Sequence, residues 1–165
     1  MTVNANIESQ AGDAPKKEAV ILIGIQATGK STFFCGHYCH THVRINLDML
    51  GTRHREDMLL KTCVDYGIPF VVDNTNPTSL ERAKYIQAAK AAGFRVVGFY
   101  FESKVSASLE RNAARARAEQ IPERGIKGTA ARLELPRLAE GFDQLNYVRI
   151  EGGGKFMVDE WRDEI

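Results

Sequence analysis

The chain has 165 residues, of which 44% are hydrophobic and 26% charged, and its formal net charge is +1. These are the values of one soluble globular domain, without the global basic charge that would indicate a nucleic-acid partner. Three cysteines, an odd number, argue against a disulfide framework and for a reducing compartment. No apolar run approaches the roughly 20 residues of a membrane span, and the N-terminus lacks a signal-peptide pattern. We therefore expect a cytoplasmic protein that does not engage a membrane.

Strand-like and helix-like segments alternate along the chain. The expected organisation is a flexible tail over residues 1–17, one domain over residues 18–150 and a C-terminal tail over residues 151–165. The predicted strands cover residues 19–23, 42–45, 68–73, 95–101 and 145–150. The predicted helices begin near residue 31 and cover about 58–66, 79–92, 105–118 and 129–133. This order predicts an α/β fold with three layers, in which helices cover both faces of a mostly parallel sheet of about five strands.

The first predicted strand runs into the segment Gly-Ile-Gln-Ala-Thr-Gly-Lys-Ser at residues 24–31. Two glycines with four residues between them, then Lys and Ser, form the phosphate-binding loop pattern of P-loop proteins. A loop that wraps a polyphosphate points backbone N–H groups inward, which favours glycine at its turns. Lys30 can reach the β- and γ-phosphates, and the hydroxyl of Ser31 can bind Mg²⁺. The predicted nucleoside triphosphate contacts are Gly24, Gln26, Ala27, Thr28, Gly29, Lys30, Ser31 and Thr32.

Two carboxylates follow predicted strands whose carboxyl ends should lie beside this loop. Asp73 ends an apolar strand, the Walker B arrangement, and is predicted to contact Mg²⁺ or its water shell. The alternative is that Asp73 caps a helix, with Asn74 and Asn76 supplying turn chemistry. Asp48 is the candidate general base, because a carboxylate at this strand end can orient an acceptor hydroxyl and take its proton. Its alternative is an N-cap.

A local concentration of positive charge lies between Arg111 and Arg132, with six basic and two acidic residues. Arg111 and Arg115 are four residues apart on a predicted helix, so they should share a face. A lid over about residues 111–127 could bring them to the γ-phosphoryl group, whose negative charge is dispersed in the transition state. The alternative is a solvated basic helix face.

Five potential metal ligands follow the loop, namely Cys35, His37, Cys39, His40 and His42. Their spacing matches no standard zinc pattern. We therefore predict a core-facing pair of cysteines with surface histidines. Trp161 is predicted to be a packing anchor near the C-terminus.

Several of these segments resemble the kinase domain of polynucleotide 5′-hydroxyl kinases. The matching pieces occur in order at residues 24–33, 45–51 (Ile-Asn-Leu-Asp-Met-Leu-Gly), 72–78 and 111–123. A later stretch, 134–142, is similar to the animal members. The resemblance extends from about residue 19 to residue 150, and its most specific piece is Asp-Asn-Thr-Asn-Pro at residues 73–77.

The resemblance implies an ATP- and Mg²⁺-dependent transfer of the γ-phosphoryl group to the 5′-hydroxyl end of DNA or RNA. The roles it implies are general base for Asp48, phosphate and Mg²⁺ contacts for Lys30 and Ser31, lid arginines for Arg111 and Arg115, and acceptor or metal contacts for Asp73, Asn74 and Asn76. The family commonly has arginine where this chain has Leu47, a position from which an arginine could hold an acceptor phosphate. We also expect no phosphatase domain in this chain.

Two other functions fit the same motifs. One is a P-loop kinase of a small hydroxyl compound such as a sugar or an antibiotic, which Leu47 and the near-neutral net charge favour. The other is a nucleotide-binding switch that hydrolyses ATP to regulate a partner, which would need no acceptor base at Asp48.

Overall fold

Strands and helices alternate along the part of the chain that the computed structural model describes, residues 17–162. The strands are β1 (Glu18–Ile23), β2 (Val43–Ile45), β3 (Phe70–Val72), β4 (Arg95–Phe101), β5 (Gln144–Glu151) and β6 (Lys155–Glu160). The α-helices are α1 (Lys30–His37), α2 (Leu47–Leu50), α3 (Arg53–Tyr66), α4 (Ser79–Ala91), α5 (Val105–Ala113) and α6 (Glu123–Arg132). Short 3₁₀ turns occupy Arg117–Glu119, Leu138–Glu140 and Gly152–Gly154.

All six strands form one sheet in the order β2-β3-β1-β4-β5-β6. The first five strands in this chain are parallel, and β6 runs antiparallel to β5. The central strand β1 aligns Val20 with Val71 of β3 and with Val97 of β4. Because parallel strands all end at the same edge, the segments that follow β1, β2 and β3 meet there. The predicted α/β class and mostly parallel sheet are confirmed.

The sheet is buried on both faces, as its near-continuous apolar strands predict. Ala19, Ile21 and Ile23 of β1 point into a cluster shared with α3 and α4. The alternate residues Val20 and Leu22 point into the second cluster, which α1 covers. Helices therefore occupy both sides of the sheet, and the core lies in two layers.

Side-chain caps set where two of the helices begin. Thr78 accepts a bond from the backbone N–H of Glu81, and the Glu81 carboxylate accepts one from the N–H of Thr78, which is a capping box at the start of α4. Thr52 caps α3 by accepting from the N–H of Arg55 at 3.2 Å. Helix α3 thus begins five residues before the predicted start at residue 58, because its first turn is polar and carries no apolar repeat.

The predicted C-terminal tail, residues 151–165, instead contains a strand that completes the sheet. Strand β6 pairs with β5 through residues such as Val158 opposite Val148, and this adds a sixth strand to the five that were predicted. Trp161 is buried against Tyr100, with 5.5 Å between the ring centroids, so its predicted packing role is confirmed. Residues 163–165, and nearly all of the predicted N-terminal tail over 1–17, lie outside the described residues.

The predicted helix over residues 105–118 was too long, and the next one began too late. Helix α5 ends at Ala113, where the Asn112 side chain exchanges two hydrogen bonds with the backbone of Ile121, at 2.8 and 2.9 Å. Helix α6 begins at Glu123, six residues before the predicted start at residue 129. Pro122 suits the position before the first turn, because no hydrogen-bond donor is needed there.

The prediction of a core-facing cysteine pair was wrong. Cys35 and Cys39 are both exposed, because Phe33 and Phe34 occupy the core face of α1. The prediction of surface histidines was wrong for His42, which is buried. Within residues 17–162, no group of three or more His, Cys, Asp or Glu side chains is placed to hold a metal ion.

A fully buried arginine joins α4 to two loops. Arg82 donates through Nε and Nη2 to both carboxylate oxygens of Glu140, at 2.7 and 2.8 Å. Its Nη1 donates to the carbonyl oxygens of Asn76, Pro77 and Glu134 at 3.0 to 3.2 Å. These bonds anchor the segment after β3, which carries cavity residues described below, to the segment that precedes β5.

We expect Arg82→Met to lower the free energy of unfolding by about 3–5 kcal/mol, since it leaves Glu140 and three carbonyl groups without their buried partner. Arg132→Met is the matched control, because Arg132 is exposed and makes a single 3.7 Å ion pair with Glu81. That variant should lose less than about 1 kcal/mol. Urea unfolding of both variants measures the difference, and equal losses would contradict this role of Arg82.

Candidate active site

The loop after β1 has a conformation that its two glycines permit. Gly24 has φ +152° and Gly29 has φ +91°, a region that disfavours residues with a side chain. A Cβ atom on Gly24 would lie 3.1 Å from the Cβ of Phe101, and one on Gly29 would lie 2.9 Å from the ring of Phe156. The backbone N–H of Gly24 donates to the carbonyl of Thr75 at 3.0 Å, which joins the loop to the segment after β3.

Lys30 begins α1 and is almost fully buried beneath the loop. Its ammonium group donates to the carbonyl oxygens of Gly24 at 2.8 Å and Ile25 at 2.6 Å. Burial lowers the pKa of Lys30 to about 8, an effect that Asp73 opposes and that the positive charge of Arg115 reinforces. A bound phosphate would give this ammonium group a charged acceptor in place of the two carbonyls.

Ser31 and Asp73, the predicted metal contacts, lie side by side. The Ser31 hydroxyl donates to Oδ2 of Asp73 at 2.9 Å, and the Asp73 carboxylate is buried. Arg44 of β2 donates to the same oxygen through Nε at 2.9 Å and Nη2 at 2.5 Å, and lies over the ring of Phe34. Sequence reasoning missed Arg44, although it is the one polar residue of that strand. Thr78 caps α4, so the capping alternative for Asp73 is excluded.

Asn74 and Asn76 use their side chains to hold the backbone around the site. Asn74 accepts from the N–H of Leu47 at 2.9 Å and donates to Glu56 at 2.7 Å. Asn76 donates to the carbonyl of Leu22 at 2.7 Å. Both residues border the cavity described below, and their acceptor contacts remain predictions.

Asp48 lies in the first turn of α2. The N-cap of this helix is Asn46, which accepts from the N–H of Met49 at 2.9 Å and donates to the carbonyl of Asp73 at 2.6 Å. The capping alternative for Asp48 is therefore excluded. Its carboxylate is exposed and makes no hydrogen bond or ion pair within the described part of the chain. An unpaired carboxylate at this edge of the sheet is available to a ligand.

The two predicted lid arginines occupy different surroundings. Arg111 of α5 donates through Nε to the carbonyl of Ala27 at 2.6 Å, so it supports the phosphate-binding loop from the side. Arg115 lies two residues past the end of α5 at Ala113, so the two side chains do not share a helix face as predicted. Arg115 is exposed and borders the cavity.

These side chains surround a cavity of about 430 Å³ at the carboxyl edge of the sheet. Of the predicted site residues, it is lined by residues 26–32, Asp48, Asp73, Asn74, Asn76 and Arg115. Gly24, the first residue of the loop, and Arg111, which bonds to the loop at Ala27, do not line the cavity. Arg53 and Tyr85 line it and were missed, because no local pattern shows that α3 and α4 bring them to this edge.

Comparison with known proteins identifies a family and two relatives that match parts of this chain. A family described as "AAA domain" matches residues 20–136. The bifunctional polynucleotide phosphatase/kinase of Schizosaccharomyces pombe is 26% identical over 136 residues, which cover 80% of this chain and 33% of that protein. A putative bifunctional polynucleotide phosphatase/kinase of Acanthamoeba polyphaga mimivirus is 35% identical over 77 residues, which cover 46% of this chain and 18% of that protein. The chain thus spans a third or less of these two relatives.

The fold also recurs among solved structures. A structure from the PezAT chromosomal toxin-antitoxin system of Streptococcus pneumoniae has a TM-score of 0.65 and 15% sequence identity to this chain. The match covers 90% of this chain and 74% of the other. At this identity the likeness concerns the fold.

None of the helices in residues 17–162 combines the length and the apolar character needed to span a bilayer.

The depressed pKa of Lys30 predicts that nucleotide binding takes up a proton. A bound phosphate stabilises the charged ammonium group and so raises the pKa from about 8. At pH 8 we expect uptake of about half a proton per ADP, measured by calorimetry in buffers of different ionisation enthalpy. The affinity for ADP should be highest below pH 8. It should fall as the pH rises from about 8 through the higher pKa that Lys30 has in the bound state. A proton uptake that does not change between pH 7 and 9 would contradict this assignment.

Proposed function

The chain belongs to the AAA domain family, and from this premise we propose that it is an ATP-dependent kinase that transfers the γ-phosphoryl group to the 5′-hydroxyl end of a polynucleotide. The two curated relatives described above support the choice of acceptor, since both carry polynucleotide phosphatase/kinase in their names. The order of the four matching segments along the chain supports it as well.

The observation that carries this proposal is the unpaired Asp48 carboxylate in the same cavity as the loop and Arg115. In the transfer, the acceptor oxygen bonds to the γ-phosphorus as the bond to the β-phosphate oxygen breaks, and ADP leaves. Asp48 accepts the hydroxyl proton. Lys30 and Arg115 supply positive charge to the phosphoryl oxygens, where negative charge is dispersed in the transition state.

Mg²⁺ fits the oxygen groups beside the loop. The hydroxyl of Ser31 and the carboxylate of Asp73 are oxygen ligands of the kind Mg²⁺ prefers, and they are in contact with each other. A bound Mg²⁺ would neutralise charge on the β- and γ-phosphates. Arg44 bonds to the same Asp73 oxygen and so limits how much of its charge reaches a metal ion.

The acceptor side of the cavity carries a cation of its own. Arg53 lines the cavity with Asp48, and its side chain is half exposed. Its hydrogen bonds, to Glu56 and to the Tyr85 hydroxyl, both run through Nη1, so Nε and Nη2 have no partner within residues 17–162. The guanidinium group of Arg53 suits an acceptor that carries a phosphate near its hydroxyl. It also provides a positive charge, which the side chain at position 47, a leucine in this chain, does not provide. This favours a polynucleotide over an uncharged alcohol.

A small hydroxyl compound is the second candidate acceptor, favoured by the apolar character of α2. Leu47 lines the cavity, and Met49 is 58% exposed beside Asp48. These side chains could contact an uncharged molecule, which would then need no contact to Arg53.

We expect Asp48→Asn to lower the rate of phosphoryl transfer by at least about 100-fold, since general base catalysis contributes on this scale. Nucleotide affinity should stay within about twofold of the wild-type value, because the side chain makes no hydrogen bond or ion pair to the loop in the described residues. Transfer from γ-labelled ATP and calorimetry with ADP measure the two quantities. Normal transfer by this variant would exclude Asp48 as the base, whereas ATP hydrolysis without transfer by the wild-type protein would favour the regulatory switch.

A panel of 5′-hydroxyl oligonucleotides and small alcohols distinguishes the two acceptor classes. For an oligonucleotide acceptor, Arg53→Gln should raise KM by about 10-fold or more, the value of one hydrogen bond to a charged group. The same variant should reduce the salt dependence of KM, because one phosphate contact is lost. Arg149→Gln is the control, because Arg149 is an exposed arginine of β5 that pairs with Glu151 of the same strand and with Asp159 of β6. Transfer to small alcohols alone, insensitive to Arg53, would establish the second candidate.

A further inference from the structure

A fully buried carboxylate lies behind the acceptor side of the cavity and has no part in the chemistry above. Glu56 of α3 accepts bonds from Asn74 at 2.7 Å and Tyr85 at 2.8 Å through Oε1, and from Arg53 at 2.9 Å and Lys84 at 3.1 Å through Oε2. Burial alone would raise the pKa of Glu56, but these bonds hold it below its ordinary value. Glu56 is therefore ionised at neutral pH.

Through Asn74, this carboxylate reaches the helix that carries Asp48. Glu56 fixes the amide nitrogen of Asn74, which leaves the amide oxygen to accept from the N–H of Leu47, the first residue of α2. Helix α2 has four residues, and none of them is buried. A helix this short has little stability of its own, so the bond from Asn74 and the cap by Asn46 fix its position.

The same carboxylate holds the cation of the acceptor side. Arg53 donates to Glu56 through Nη1, which leaves Nε and Nη2 without a partner within residues 17–162. An arginine with a half-exposed side chain loses considerable rotamer freedom when it binds an anion. A buried anionic partner removes part of that loss in advance.

We propose that Glu56 is a positioning residue that sets the acceptor side of the cavity, acting on Asp48 through Asn74 and on the acceptor anion through Arg53. This inference rests on the proposed function, since it names an anionic acceptor of the same cavity. The competing explanation is that Glu56 joins α3 to α4 through Lys84 and Tyr85, with no effect on the site.

The test compares Glu56→Ala with Leu60→Ala. Both replace a buried residue of α3 by alanine, but Leu60 packs in the apolar core and serves as the control for lost stability. In Glu56→Ala the amide hydrogen of Leu47 should exchange about 10-fold faster, since a loss near 1.4 kcal/mol corresponds to that factor. The acceptor KM should rise and kcat should fall, each by about 10-fold or more. In Leu60→Ala the exchange rate at Leu47, the acceptor KM and kcat should all match the wild-type values.

A second variant keeps the proposal testable if Glu56→Ala does not fold. Asn74→Ala removes the connection to Leu47 and leaves Arg53 bonded to Glu56. It should raise the exchange rate at Leu47 and lower kcat, although the ion pair between Arg53 and Glu56 is intact. Affinity for ADP should remain within about twofold in every variant, because none of these residues bonds to the loop.

Two results would overturn the proposal. One is an unchanged exchange rate of the Leu47 amide in Glu56→Ala. The other is an equal rise of that rate in Leu60→Ala. Either result would leave Glu56 with a structural role alone. Absence of transfer by the wild-type protein to every acceptor would instead refute the proposed function. The exchange measurement needs no acceptor and would still decide whether Glu56 fixes α2.

Discussion

The parallel pairing of β1 with β3 is the constraint on which the site depends. Ile21 lies opposite Val72, so the phosphate-binding loop and Asp73 emerge side by side at one edge of the sheet. A further backbone bond, from Gly24 to the carbonyl of Thr75, extends this contact beyond the strands. A shift of the register by one residue would turn Asp73 to the opposite face and separate it from Ser31.

Past the ends of the strands, side-chain amides take over the bonds that a sheet ladder would otherwise make. Asn76 bonds to the backbone at the end of β1, Asn46 bonds to the carbonyl of Asp73, and Asn74 bonds to the N–H of Leu47. Buried backbone groups need such partners wherever regular structure stops. The asparagine-rich sequence after β3 therefore has a structural reason, which is independent of any substrate it contacts.

The sequence alone predicted the features that depend on local pattern. The strand limits at β4 and the loop around Lys30 follow from apolar runs and from the glycine spacing. Arg44, Arg53 and Glu56 could not be predicted, because each bonds to a side chain that lies 18 to 32 positions farther along the chain. The β5–β6 hairpin was missed because three consecutive glycines, typical of a flexible joint, also form the turn between two paired strands.

The hairpin has a consequence for the opposite end of the chain. Phe156 of β6 lies where a side chain on Gly29 would be, and its ring also meets Phe33 of α1 edge-on. Strand β6, which is synthesised after the other five strands of the sheet, thus supports the phosphate-binding loop from the side. A nascent chain that has not yet added β6 lacks this contact, so the loop acquires its complete packing only after the other five strands have been made.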